Sequence, residues 1–160
     1  MSLDGFIEGP NGEYDWCFTD QDYGMTNFLG NTDAIFFGRK SYNLLMMTDE
    51  NPYPDKTKYV FSRSLTEVED AIIIKENIAE KVKEIKNAPG KNIWLFGGAE
   101  LTDTLMDAGL VDELQIAVHP IVLGKGKPLF KAKDFRTKLE LKDTITYSSG
   151  LVQLIYGFKG

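Results

Sequence analysis

The chain has 160 residues, 42% hydrophobic and 26% charged, which predicts a single domain over residues 1–160 with a sizeable core. A formal net charge of -6 argues against a non-specific binder of nucleic acid or of an anionic membrane, although a local basic cluster can still hold a small anion. Cys17 is the only cysteine and His119 the only histidine, so an intrachain disulfide and a multi-cysteine or multi-histidine metal site are excluded, and no metal is expected. No basic-then-apolar leader opens the sequence and no apolar run reaches membrane-spanning length, so the expectation is a cytoplasmic protein.

In chain order, residues 3–8 read as a strand broken by Gly9-Pro10-Asn11-Gly12. Residues 22–29 read as a short helix, with Thr19 or Asp20 as its cap. Asp33-Ala34-Ile35-Phe36-Phe37 is an apolar strand ending at Gly38, and residues 40–46 continue as a helix toward the loop Asn51-Pro52-Tyr53-Pro54. Residues 58–62 and 71–74 are strands. Residues 77–87 form a helix whose Ile78, Val82 and Ile85 make one apolar stripe, and Pro89-Gly90 ends it. The run Asn92-Ile93-Trp94-Leu95-Phe96 is a strand that stops at Gly97-Gly98, with a helix over 99–106. The last third carries a strand at 113–118, a loop at 124–128, and strands at 139–146 and 151–158 joined by Tyr147-Ser148-Ser149-Gly150. Strands that first alternate with helices and then follow one another predict an α/β fold. Its sheet is mostly parallel, with an antiparallel C-terminal edge hairpin.

Three strand ends carry chemistry. Gly97-Gly98 opens a helix, where bare backbone and the helix dipole favour an anion such as a pyrophosphate. Gly38-Arg39-Lys40-Ser41 is a second strand–glycine–helix junction, with two cations and a hydroxyl. Ser62-Arg63-Ser64 is a third strand end. All three fall at carboxyl ends of candidate parallel strands, where such sheets bind ligands, so they can share one rim. Arg39 and Arg63 have the planar fork that suits a phosphate. Each could equally be a solvated surface group. Lys125 and Lys127 sit in a Gly-Lys-Gly-Lys loop that either meets a substrate phosphate or is simply a solvated hairpin. His119 reads as a structural polar contact in preference to a proton donor, and Cys17 as a packed thiol.

These motifs, in this order, resemble the dihydrofolate reductase-like fold, three-layered around a mostly parallel central sheet. The nearest resemblance is to the RibD C-terminal domain family, the reductase domain of the bacterial bifunctional riboflavin-pathway deaminase–reductase. The matching pieces are Ser2-Leu3-Asp4-Gly5-Phe6-Ile7, Gly38-Arg39-Lys40-Ser41-Tyr42, Ser62-Arg63-Ser64, Leu95-Phe96-Gly97-Gly98-Ala99, Val111-Asp112-Glu113-Leu114 and His119-Pro120-Ile121-Val122-Leu123-Gly124-Lys125-Gly126. The resemblance implies NADPH as cofactor. It places Gly38, Arg39, Lys40 and Ser41 along the pyrophosphate and adenosine phosphate. Arg39, Ser62 and Arg63 fall around the 2′-phosphate, and Gly97, Gly98, Ala99 and Glu100 over the pyrophosphate from the other side.

On the substrate side the resemblance sets Asp4 at the border of the nicotinamide and substrate cleft. It makes the loop from Gly9 to Trp16 a mobile cover, with Trp16 over the ring unless it is an ordinary buried anchor. Asp22 takes the place of the pterin-binding carboxylate and, with Asp4, is a candidate catalytic residue. The Leu-Pro-Trp pattern around that carboxylate is missing, however, so folate is not the expected substrate and Asp22 reads alternatively as a solvated or helix-capping carboxylate. The implied reaction is hydride transfer to a pyrimidine- or pterin-like small molecule, including reduction of 5-amino-6-(5-phosphoribosylamino)uracil. The alternatives are a non-catalytic nucleotide-binding protein on the same fold, or a related reductase with another substrate. A homodimer is also implied, with the apolar C-terminal strands, Leu151, Val152, Leu154, Ile155 and Tyr156 among them, at its interface or buried within the subunit.

Overall fold

The computed structural model describes residues 1–47, 51–134 and 136–159. The elements run β1 (Phe6–Glu8), α1 (Met25–Gly30), β2 (Thr32–Gly38), α2 (Arg39–Met46), β3 (Thr57–Phe61), β4 (Ile72–Ile74), α3 (Ile78–Asn87), β5 (Asn92–Gly97), α4 (Ala99–Asp107), β6 (Glu113–Val118), β7 (Lys127–Pro128), β8 (Leu139–Thr146) and β9 (Val152–Phe158). They fall into two compact units. One is Gly24–Leu110; the other joins Met1–Tyr23 to Val111–Gly160.

The Gly24–Leu110 unit is built on a four-stranded parallel sheet in the order β4-β3-β2-β5. β2 is central, and its run Ala34-Ile35-Phe36-Phe37 is buried throughout, as expected of a parallel strand covered on both faces. Alternate residues serve opposite faces. Ile35 and Phe37 join Tyr42 and Val60 in a buried cluster against which Leu45, Met46, Tyr53 and Trp94 pack. Phe36 instead meets the rings of Tyr59 and Phe61, at 5.5 and 5.1 Å. Tyr42 fixes α2 onto this core, and its hydroxyl donates to the Glu69 carbonyl at 2.7 Å. In α3 the stripe is as read from the sequence, with Val82 1% exposed and Ile78 and Ile85 half-buried.

The other unit holds the antiparallel strands. β9 lies between β6 and β8, and β1 pairs with β7. The β8–β9 hairpin closes through Gly150 N–H donating to the Tyr147 carbonyl at 3.0 Å. Leu151 is buried, and Val152, Leu154, Ile155 and Tyr156 are half-buried.

Three expectations change. The first strand starts at Phe6 and not at residue 3, because residues 2–5 close a turn: Gly5 N–H donates to the Ser2 carbonyl at 3.1 Å with Gly5 at φ 90. Residues 127–128, expected in a loop, pair with β1 as β7. The first helix begins at Met25, so Asp22 lies before it. Tyr23 at φ 49 and Gly24 at φ 78 are both left-handed and break the helix, and Gly24 takes the cap position expected of Thr19 or Asp20. Asp20 instead accepts a hydrogen bond from the Tyr23 hydroxyl at 2.6 Å.

Candidate functional site

The parallel sheet has one place where its order reverses. From β2 the chain runs outward to β3 and β4, then returns through α3 to β5 on the other flank of β2. Open α/β sheets leave a crevice beyond the strand ends at such a point. Register brings the three junctions to that end. Gly38 pairs with Phe61 and Phe37 with Gly97, so the chain leaves three neighbouring strands side by side at 38–39, 61–63 and 97–99.

The glycines let backbone meet backbone there. A Cβ on Gly38 would sit 3.3 Å from the Gly98 nitrogen and 3.5 Å from the Gly97 oxygen. Gly38 itself has an ordinary φ of -71, so space and not conformation selects glycine. Gly97, at φ 102, is in a region that L side chains rarely adopt, and its peptide bond to Gly98 is cis. Gly38 and Gly98 are the N-cap positions of α2 and α4, so neither helix has a side-chain cap. Their first-turn N–H groups have no intrahelical acceptor, and two positive helix ends are presented from adjacent strand ends.

Cations surround this backbone. Arg39 and Lys40 are exposed on the first turn of α2, and Ser41 is half-buried behind them. The Ser62 hydroxyl accepts the N–H groups of Ser64 and Leu65 at 3.3 and 3.2 Å, a tight turn that carries the exposed Arg63 off the end of β3. Among the described residues Arg39, Lys40 and Arg63 make no hydrogen bond or ion pair through their side chains. Ala99 is buried. Glu100, exposed in the first turn of α4, offsets part of that helix's positive end. The arrangement can hold a multiply charged anion between bare amides and these guanidinium groups. An open depression lined by Pro54, Asp55, Lys56, Lys58 and Asp70 lies elsewhere, at the amino ends of β3 and β4.

The other expected site residues belong to the second unit. Asp4 is exposed, yet both its oxygens are engaged, accepting the N–H groups of Leu123 at 3.1 Å and Gly124 at 2.8 Å. The Ser2 side chain and these backbone donors hold its carboxyl below the ordinary aspartate value, which suits an ionised clamp more than a proton donor. Lys127 pairs with Glu8 at 3.0 Å across β1 and β7, whereas Lys125 is exposed and makes no such pair among the described residues. Asp22 is exposed and has interactions of its own. Trp16 is half-buried with its ring at right angles to that of His119, centroids 5.4 Å apart. The imidazole accepts the Phe18 N–H on Nε2 at 3.1 Å, the structural contact expected of it. Burial raises the Cys17 thiol above its usual value, as for a packed thiol. Sequence reasoning missed the Gly38–Gly98 approach and the Lys127–Glu8 pair. Both depend on which strands are neighbours, and only alternating strand and helix signals hinted at that.

Among the described residues no helix is long and apolar enough to cross a membrane, and no group of three acidic, histidine or cysteine side chains could hold a metal ion. The sequence is 47% identical to the uncharacterized protein YyaP of Bacillus subtilis (strain 168), covering 100% of this chain and 92% of that one. The fold matches a putative riboflavin biosynthesis protein from Shewanella sp. PV-4 with TM-score 0.88 at 24% identity, over 100% of this chain and 96% of that one. It also matches a dihydrofolate reductase from Enterococcus faecalis, solved with NADP(H), with TM-score 0.73 at 16% identity, over 100% of this chain and 93% of that one. The architecture is therefore dihydrofolate reductase-like, and because the sequence model of the RibD C-terminal domain matches residues 1–153, the chain belongs to that family.

Proposed function

We propose that this protein is an NADPH-dependent reductase acting on a pyrimidine- or pterin-like small molecule. The observation that carries the reading is the rim at the sheet's reversal point. Two uncapped helix starts meet there through glycine backbone, beside cations that have no partner among the described residues. With no side chain at Gly38 the two strand ends come close enough to present their bare amides together to a pyrophosphate, and family membership supports the choice of a nicotinamide dinucleotide. In this reading Gly38, Gly97, Gly98 and the amides of Arg39, Lys40, Ser41, Ala99 and Glu100 hold the pyrophosphate. Arg39, Ser62 and Arg63 hold the 2′-phosphate that distinguishes NADPH from NADH. When bound, the cofactor supplies a hydride; the chain's work is to orient it and the substrate.

On the substrate side the reading takes Asp4 and Asp22 as catalytic candidates and Trp16 as a substrate residue from the family resemblance, and Lys125 and Lys127 from their loop. In this reading Asp4, which accepts the N–H groups of Leu123 and Gly124, orients the 121–124 segment as an ionised clamp, and Lys125 meets a substrate phosphate in preference to Lys127, which is paired with Glu8. Reduction of 5-amino-6-(5-phosphoribosylamino)uracil fits a phosphate contact of that kind. Self-association as a homodimer completes the proposal, and a light-scattering mass of one subunit ends that part of it.

Calorimetric titration with NADPH and NADH tests the core of the reading. Saturable NADPH binding, tighter than NADH, is expected; no binding at millimolar NADPH overturns it. A panel of pyrimidine and pterin substrates with NADPH then reads turnover, and binding without turnover of any of them returns the protein to a nucleotide-binding role.

A further inference from the structure

His119 follows β6 and is 6% exposed. Its Nε2 accepts the Phe18 backbone N–H at 3.1 Å. Its ring also meets the Phe18 ring at 5.2 Å and 63°, and the Trp16 ring at 5.4 Å and 87°. One imidazole thus touches both residues that flank Cys17. A nitrogen that accepts a hydrogen bond carries no proton, so the neutral ring keeps its proton on Nδ1. Nδ1 is buried and has no partner among the described residues, so the Phe18 amide alone selects the tautomer. The far side of the segment is fixed independently. The Phe18 ring lies 6.4 Å from that of Tyr23 at 24°, and the Tyr23 hydroxyl donates to Asp20 at 2.6 Å and lies 2.9 Å from the Ser149 hydroxyl.

We propose that His119, as the neutral Nδ1–H tautomer, is a positioning residue that sets where Trp16 stands. The inference rests on the proposed function, in which Trp16 serves the substrate. Removing the imidazole leaves the Phe18 N–H without its acceptor and the Trp16 ring without its perpendicular wall. A partly buried donor so stranded is costly, and the segment moves to re-satisfy it. A purely space-filling residue would not depend on which nitrogen carries the proton.

Two measurements decide it. His119 is the only histidine, so proton–nitrogen correlation spectra show a single imidazole. At neutral pH they should show a protonated Nδ1 and a bare Nε2; the opposite tautomer overturns the proposal even if no variant folds. Trp94 is the only other tryptophan, so Trp94→Phe isolates the Trp16 emission. In that background His119→Leu should shift the emission to the red. His119→Gln, whose side-chain oxygen can accept the Phe18 N–H, should restore it. Unchanged emission in folded His119→Leu, or a folded His119→Gln that behaves like the leucine variant, overturns the proposal. NADPH titration of the same proteins keeps the two readings apart. Wild-type protein that binds no NADPH ends the reductase reading and leaves the tautomer and emission results standing.

Discussion

The two ends of the parallel sheet treat their basic residues in opposite ways. At the amino end the lysines of β3 and the loop before it are answered within the chain. Lys58, its side chain fully buried, meets Asp70 at 2.8 Å, and Lys56 meets Asp55 at 2.8 Å. Asn51 donates to the same Asp70 carboxylate, and the Lys58 hydrogen bond holds that carboxyl below its ordinary value. At the carboxyl end Arg39, Lys40 and Arg63 have no partner among the described residues and stand beside glycine backbone. The amino end also has the open depression, but the charged residues in its walls are already paired. Charge and concavity alone therefore do not mark a site. A cation without a partner next to an amide without an acceptor does, because both have binding energy left to give a ligand.

The largest expected effect comes from removing the free cations. Arg39→Ala with Arg63→Ala should weaken NADPH binding by roughly 10²-fold or more, since charge-assisted hydrogen bonds to phosphate are the strong kind. NADH should lose much less, and calorimetry with both nucleotides reads the difference. Equal losses would mean that the arginines serve the fold or a different anion. A smaller effect is expected of Gly38→Ala. At φ -71 alanine is conformationally allowed, but its methyl crowds the backbone of the neighbouring strand end, so a modestly lower melting temperature is expected beside the binding effect. The added methyl reaches within 3.3 Å of the Gly98 nitrogen and pushes apart the two glycine strand ends that carry the proposed pyrophosphate site. About tenfold weaker NADPH binding is expected, on the scale of a lost backbone contact. Wild-type affinity in this variant would put the nucleotide somewhere other than the rim.

Exchanging the amino-end pair should do the reverse, changing stability and not affinity. Lys58→Met replaces a buried ammonium with an apolar chain of similar length and leaves behind only the half-exposed Asp70 carboxylate, which water can solvate, so its cost should be small. Asp70→Asn keeps a residue type that tolerates the φ of 58 but strips the buried ammonium of its counter-charge, so it should melt lower than Lys58→Met. NADPH affinity should stay within about twofold in both, as for sites that share no partners. A large affinity loss here would erase the contrast between the two ends.

The carboxyl-end half of this contrast is legible in the amino-acid sequence, and the amino-end pairs are not. Apolar runs closed by glycine at 38 and 97, each with a helix behind it, are local signals, and they locate the strand ends. The alternation of strand and helix implies a parallel sheet. The neighbour order β4-β3-β2-β5 is not legible, because pairing joins segments far apart in the chain. The same limit hides the partners of Asp4 and Lys127, which lie 120 and 119 residues away. Two residues of β7 are too few to show a period, so the pairing reads as a loop. Asp22 falls outside its expected helix for a local reason. The helical pattern runs on through Tyr23 and Gly24, and only their left-handed backbone, which the pattern does not encode, stops it.

The smallest expected effect lies outside the sheet and checks that the contrast is confined to it. Burial, the largest cause, lowers the His119 pKa below the ordinary histidine value of 6.5. The unfolded chain therefore takes up the proton at a higher pH than the folded one. Between the two values the unfolded state binds more protons, so stability rises with pH across that window. The contribution is complete above the ordinary value and is lost as the pH falls through the lowered one. Urea midpoints measured down from neutral pH should fall in wild type, and part of that slope should vanish in His119→Gln, which has no proton to gain. An unchanged slope would mean that another group titrates there, and that the imidazole holds the Phe18 N–H no more firmly than water does.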